Sequence, residues 1–270
     1  MRVGLGQFDA GSDKEANLRR MEELADLATA ARADLLVLPE AAMAVIPPDA
    51  GLAGWAEPLD GPFVQGLGAI ARRRRMAVAA GIFEQGPEGR SYNTVVVLGR
   101  DGDLIGSYRK IHLYDAFGDR ESARTEPGDG RTLVFDLDGL RIGVMTCYEL
   151  RFPEMARRLV AQGAQLLLLP AHWVRGPLKE HHWTALAHAR AIENTVYVAA
   201  CGMVSERAAG ISTLVDPMGV ALVSLGEREG VAVGEVEPER VAQVRVRNPS
   251  LANRRPDIYA EWAAEEVQRV

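Results

Sequence analysis

Three residues of this 270-residue chain, Cys147, Glu40 and Lys110, combine types that together can attack a carbonyl carbon. A thiol is a nucleophile, a carboxylate can take its proton, and an ammonium can stabilise the negative oxygen that forms on the substrate. Each stands at the end of a strand-like run. Cys147 follows Leu140-Arg-Ile-Gly-Val-Met-Thr146 and precedes a helix start near Pro153, Glu40 ends Leu35-Leu-Val-Leu-Pro39, and Lys110 follows the alternating stretch Asp103 to Arg109. Taken singly, they read as a small buried thiol, a helix-start acid and a solvated strand terminus. A carboxylate ending a buried strand is nevertheless costly unless it is paired, hydrogen-bonded or used. A thiol hydrolase needs all three types.

The elements that must carry these residues fall into two halves of similar order. The first reads as strand 3–8, helix 14–33, strand 35–38, helix 63–75 and strands 77–83, 92–98 and 103–109. The second repeats it with strand 140–146, helix 153–162, strand 166–169, helix 179–193 and strands 196–201, 212–215, 221–225 and 231–236. Ser12 and Glu15 suggest a capping box for the first helix, whose apolar stripe is Leu18, Met21, Leu24, Leu27 and Ala31. This order predicts an α/β fold of two mixed sheets packed face to face with helices outside, which buries both faces of each sheet. Glu40 and Cys147 then lie at C-terminal strand ends, the usual edge for sites in open α/β sheets.

Composition excludes several classes of function. With 47% hydrophobic residues the chain can bury a large core as one domain over 1–270, and no linker interrupts it. A net charge of -6 argues against general affinity for nucleic acid or an acidic membrane. The one dense basic block, Arg72 to Arg75, closes a predicted helix, where cations suit the dipole. The absence of a charged leader or a long apolar span predicts a cytoplasmic protein with no membrane partner. The two cysteines do not make a disulfide framework, and Cys201 reads as a small core residue. His181 and His182 are adjacent and His188 lies off their helical face, so no metal site is expected.

The segments Leu-Pro-Glu40, Lys110-Ile-His-Leu and Cys147-Tyr-Glu-Leu-Arg-Phe-Pro-Glu154, in that order and spacing, resemble the nitrilase or carbon-nitrogen hydrolase superfamily. The likeness spans nearly the whole chain. It includes Gly81-Ile-Phe, Tyr92-Asn93, Glu121-Ser122 ahead of Pro127-Gly128, Arg190-Ala-Ile-Glu-Asn194 and Ser212-Thr-Leu-Val-Asp-Pro-Met-Gly219. The resemblance implies a Cys-Glu-Lys triad of Cys147, Glu40 and Lys110 on a four-layer αββα sandwich, and Glu121 as the matching second glutamate. It also implies a homodimer or higher homo-oligomer formed through second-half helices, and no cofactor.

On this reading Glu40 takes the proton of Cys147, Lys110 and the Tyr148 backbone N–H face the developing oxyanion, and Glu121 orients Lys110 or the substrate nitrogen. The cysteine motif resembles the branch of ω-amidases and deaminated glutathione amidases, which more often carry Asp where this chain has Glu149. His172 and Trp173 follow Pro170-Ala171 and, with Tyr148, are expected to line a pocket narrow enough for short amides. Arg175 and Lys179 could receive a substrate carboxylate. Arg151 and Glu154 are expected to pair with each other or with buried carbonyls and so brace the turn that aims the thiol, and Asn93, His112, Glu193 and Asn194 to be satisfied polar core residues. The predicted activity is hydrolysis of small aliphatic or ω-amides; the alternatives are a nitrilase and a non-catalytic binding protein on the same fold.

Overall fold

The computed structural model describes residues 1–47, 50–52 and 54–267. The first half runs β1 (Arg2–Gln7), α1 (Lys14–Ala30), β2 (Leu35–Val37), α2 (Pro62–Arg74), β3 (Ala77–Gln85), β4 (Ser91–Leu98), β5 (Leu104–Arg109) and the short β6 (Thr125–Glu126). The second runs β7 (Leu133–Leu137), β8 (Leu140–Val144), α3 (Pro153–Ala161), β9 (Leu166–Ala171), α4 (Lys179–Asn194), β10 (Tyr197–Gly202), β11 (Thr213–Val215), β12 (Ala221–Ser224), β13 (Gly230–Glu235), α5 (Pro238–Arg247) and α6 (Pro256–Val267).

One sheet has the order β13-β1-β2-β3-β4-β5, with β6 paired to β4, and the other the order β12-β11-β10-β9-β8-β7. Both are mixed. The three consecutive strands β1, β2 and β3 run parallel, as do β8, β9 and β10, because helical crossovers join them. Alternation assigns the faces. Val3, Leu5, Leu35, Val37, Ala77 and Ala79 share a core with the second sheet, whereas Leu36, Leu38, Val78 and Ala80 pack beneath α1 and α2. Together with α3 and α4 on the far side, this is the expected αββα sandwich.

Three local expectations change. Asp13, and not Ser12, caps α1, accepting from the N–H groups of Glu15 and Ala16 at 2.9 and 3.1 Å. The buried face of α1 is Met21, Leu24, Ala25 and Ala28, leaving Leu27 exposed, because a stripe at i, i+3, i+4 and i+7 from Met21 excludes position 27. The predicted strand 231–236 does form, but as β13 it leaves the second half and pairs antiparallel with β1 in the first sheet. Arg73 and Arg74 of the basic block pair with Glu22 and Asp26 of α1. Cys201 is fully buried between the sheets with its thiol on the Val37 carbonyl at 3.1 Å, and burial pushes its pKa up to about 12.

Candidate active site

The local chain path sets up the site at the sheet ends. Beyond β2, Leu38-Pro39-Glu40 runs so close to β3 that a Cβ on Gly81 would lie 2.5 Å from the Glu40 Cα, and only glycine fits there. Ala41 then turns the chain with φ at 53°. Beyond β8, Thr146 leads into a short helical turn, Cys147–Arg151, and Cys147 itself has φ of 47°. A left-handed conformation is uncommon for a non-glycine residue and has to be held by its surroundings. Here the buried Glu149 carboxylate holds it, accepting from Thr146 N–H at 2.8 Å, from Ile111 N–H at 3.0 Å and from Tyr108 O–H at 2.5 Å. One side chain thus ties the cysteine turn to the strand that delivers Lys110. Arg190 of α4 grips the same turn through the Leu150 carbonyl.

The structure brings Glu40, Lys110, Glu121 and Cys147 together in the wall of a cavity of ≈ 950 Å³. Lys110 Nζ donates to Glu40 Oε1 and to Glu121 Oε2, both at 2.9 Å. Asn93 Nδ2 donates to the other side of the same pair, at 2.8 Å to Glu40 Oε1 and 2.8 Å to Glu121 Oε1. The remaining Glu40 oxygen accepts the His172 backbone N–H at 2.8 Å, and the Cys147 thiol also hydrogen-bonds Glu40. Glu121 is fixed in turn by the Tyr114 N–H at 2.6 Å. Glu126, the other acid of that loop, pairs with Arg90 away from this cluster.

Electrostatics assigns the resting protonation states. Burial alone would raise the Glu40 carboxyl, but the Lys110 charge and hydrogen bonds from Cys147, Lys110 and His172 bring it down to about 2. Burial would neutralise Lys110, yet Glu121 and Glu40 hold it well above its ordinary value. The Cys147 thiol is pushed well above its ordinary value, first by burial and then by the Glu40 charge, against the pull of Lys110. The resting site is therefore thiol, carboxylate and ammonium. Such a site holds a base already ionised beside a nucleophile that still carries its proton.

Tyr148, His172 and Trp173 all line the cavity. Trp173 is buried with its indole N–H on the Lys179 carbonyl at 2.7 Å, and the His172 imidazole is held below its ordinary pKa by burial. Two polar readings are corrected. Arg151 does not pair with Glu154, which is exposed; its guanidinium lies 4.7 Å from the Trp173 ring and lines the cavity. Arg175 is ion-paired with Glu227 at 2.8 Å and bonds the carbonyls of Ser205 and Ala208, so it does not face the cavity. Asn93 spaces the two glutamates, a function that its polarity alone could not signal. Tyr114 was also missed, although it follows Lys110-Ile-His-Leu directly. Among the described residues no group of His, Cys, Asp or Glu is arranged to hold a metal ion, and no helix is long and apolar enough to cross a membrane.

A sandwich with a thiol, a buried carboxylate and a buried ammonium at adjoining sheet ends defines a class of carbon-nitrogen bond hydrolases. The chain belongs to the carbon-nitrogen hydrolase family, whose model matches residues 2–246. It is similar to the deaminated glutathione amidase of Escherichia coli O157:H7, with 41% identity over 94% of this chain and 97% of that protein. It is also similar to the omega-amidase of Bos taurus, with 32% identity over 96% of each chain. Among solved structures, a variant of the amidase from Nesterenkonia sp. AN1 carrying acrylamide added at its active-site cysteine superposes with a TM-score of 0.83. That pair is 28% identical, and the match covers 97% of this chain and 99% of the other.

Proposed function

We propose that the protein is a thiol amidase that cleaves small amides to a carboxylic acid and ammonia through a thioester on Cys147. The observation that carries this reading is that one ionised carboxylate, Glu40, contacts both the protonated Cys147 thiol and the Lys110 ammonium in the cavity wall. As sulfur attacks the amide carbon, the thiol proton passes to Glu40, and the carbonyl oxygen becomes negative beside Lys110 and the Tyr148 N–H. When the C–N bond breaks, Glu40 returns the proton to the leaving nitrogen, and ammonia departs. Glu40 then takes a proton from water as the water oxygen attacks the thioester. Collapse returns that proton to sulfur and releases the acid. Glu121 keeps Lys110 pointed at the oxyanion position.

The test is ammonia release from a panel of short aliphatic amides, ω-amides and matching nitriles by the parent and Cys147→Ala. Turnover of an amide that vanishes in the variant supports the reading. Faster turnover of the nitriles would make the protein a nitrilase, and no turnover of any compound by the folded parent would favour a binding protein. The reading also includes a homodimer or higher homo-oligomer. Its support is the exposed apolar set Ile192 on α4 with Met218, Val220 and Leu222 nearby in the second half. Light scattering at working concentration tests it, and a monomer would remove it.

A further inference from the structure

Lys179 is only 6% exposed, and among the described residues no carboxylate pairs with it. Its ammonium donates to the Tyr114 hydroxyl at 2.8 Å and lies 5.3 and 4.9 Å from the ring centroids of Tyr114 and Phe117. As the first residue of α4 it also faces the positive end of the helix dipole. A buried ammonium so placed works against folding unless its contacts serve another purpose. Both aromatic partners belong to one loop, residues 114–121.

That loop carries Glu121. Its ends are tied by two hydrogen bonds, Tyr114 N–H to Glu121 Oε2 at 2.6 Å and Glu121 N–H to the Tyr114 carbonyl at 3.2 Å. The same Oε2 accepts Lys110 Nζ at 2.9 Å, whereas Asn93 holds only the other oxygen. Tyr114 therefore receives Lys179 at its hydroxyl and fixes the Lys110 acceptor with its backbone. Phe117, at the loop tip, is 64% exposed and has φ of 55°, so its own burial does not hold the loop in place. Arg151 braces the tip from the same side, its guanidinium 5.4 Å from the Phe117 ring and 4.7 Å from that of Trp173, whose indole N–H bonds the Lys179 carbonyl. Beyond Glu121 the chain is fastened separately, by Arg90 on the Ser122 and Thr125 carbonyls.

We propose that Lys179 is a positioning residue for the oxyanion cation: by binding Tyr114 it fixes the loop whose Glu121 carboxylate aims Lys110. Without that contact the Tyr114 side of the loop can shift, Glu121 Oε2 shifts with it, and the ammonium follows its carboxylate. A misplacement of about 1 Å at a reacting centre can cost on the order of 10²-fold in rate, so a smaller displacement of Lys110 is enough to be measured. The second half of the molecule thus supplies the thiol and also the support of the first half's ammonium. This rests on the amidase reading of the same cavity.

Ammonia release from an uncharged short amide is the first readout, because such a substrate offers Lys179 no carboxylate to bind. Lys179→Met should lower kcat by ~10-fold with KM within about twofold, and Lys179→Arg, which keeps a donor for the phenol, should restore most of the loss. Tyr114→Phe removes the same contact from the other side and should cost a similar factor, while the double variant should fall little below either single one. Tyr114→Phe also decides the matter if Lys179→Met fails to fold. The second readout needs no catalysis: in either variant the amide hydrogens of Tyr114 and Glu121, which make the two bonds across the loop, should exchange ~10-fold faster, with those of α1 and β9 unchanged. Losses that multiply in the double variant overturn the role, as does exchange at Tyr114 and Glu121 as slow as in the parent. A loss confined to KM for amides that carry a carboxylate overturns it too and makes Lys179 a substrate contact. If no amide yields Cys147-dependent ammonia, the amidase reading fails; faster exchange then keeps Lys179 as the support of the Glu121 loop, and parent-like exchange removes that as well.

Discussion

The two halves of the molecule share one frame and divide the chemistry between them. Val3, Leu35 and Ala77 pair across β1, β2 and β3 as Ile142, Leu166 and Tyr197 pair across β8, β9 and β10. Followed onward from those registers, Phe8 corresponds to Cys147, Glu40 to Ala171 and Gly81 to Cys201. Leu35-Leu-Val-Leu-Pro-Glu40 and Leu166-Leu-Leu-Leu-Pro-Ala171 are nearly the same segment with the carboxylate exchanged for a methyl group. At the strand end where one half has the thiol the other has the fully buried Phe8, and where one has the base the other has the fully buried Ala171. Neither half could run the proposed reaction alone. The duplicated frame places two equivalent sheet ends side by side, and differentiation of a few positions makes one complete site across them.

Breaking the division at its reactive positions should have the largest effect. Cys147→Ala should lower kcat on the best amide by on the order of 10⁶, and Glu40→Gln by about 10²–10⁴, with both proteins still folded by circular dichroism. A Glu40→Gln enzyme with parent activity would remove the base from the mechanism. Lys110→Met should cost about 10²–10³ in kcat through loss of the oxyanion donor. It should also raise the acid limb of the pH profile, because the cation that keeps Glu40 ionised is gone. An acid limb that stays where it was in the parent would show that Lys110 does not govern Glu40.

Steric substitutions sharpen the comparison of frames. Gly81→Ala should destabilise by about 3 kcal/mol, since the new methyl meets the backbone at Glu40 and Ala41. The shift of Glu40 should add a loss of up to about 10² in kcat. Cys201→Ala at the corresponding place in the second half should cost only about 1 kcal/mol and leave kcat within about twofold, because that position packs core and no catalytic backbone passes over it. Denaturant melts of the two variants measured together decide the point, and equal costs would argue against a constraint special to the first half.

The smallest expected change is with pH. Glu40 sits at about 2, and Lys110 and Cys147 both lie above their ordinary values. Consequently kcat/KM on an uncharged amide should be nearly flat between pH ~5 and ~9. A limb near pH 6.5 would assign the base to a histidine. The linked stability has a definite sign. A carboxyl lowered from 4.5 to about 2 stabilises the fold above its unfolded value, and that contribution disappears as pH falls through about 2. The melting temperature of the parent should therefore drop more than that of Glu40→Gln across that interval.

Much of the frame could be read locally. The runs that form β2, β9 and β10 are apolar enough to be strands without knowledge of their neighbours, and the three reactive residues stand at strand ends in the linear order. What local pattern could not place was β13. Its alternation predicts a strand but not its partner, and pairing with β1 across more than two hundred residues depends on which sheet edge is left open. β7 went unread because Leu133 to Leu137 carries an aspartate and is half-exposed, so its alternation is weak. The polar residues were misassigned for a related reason. Arg151 is close enough to Glu154 along the chain to pair with it, and Arg175 close enough to Lys179 to share a substrate carboxylate, yet Trp173, His182 and Glu227 reach the two arginines from elsewhere in the fold.

The sequence by itself determined the layered α/β architecture, since apolar period and crossover length are local quantities, and it singled out Glu40, Lys110 and Cys147 by type and motif. Only the tertiary structure decided that Glu121 and not Glu126 holds Lys110, that Glu149 joins the cysteine turn to the strand that delivers Lys110, and that Lys179 and Arg151 line the cavity. Those outcomes depend on distances between segments remote in sequence and on the dielectric that burial creates around them, and neither quantity exists until the two sheets have packed.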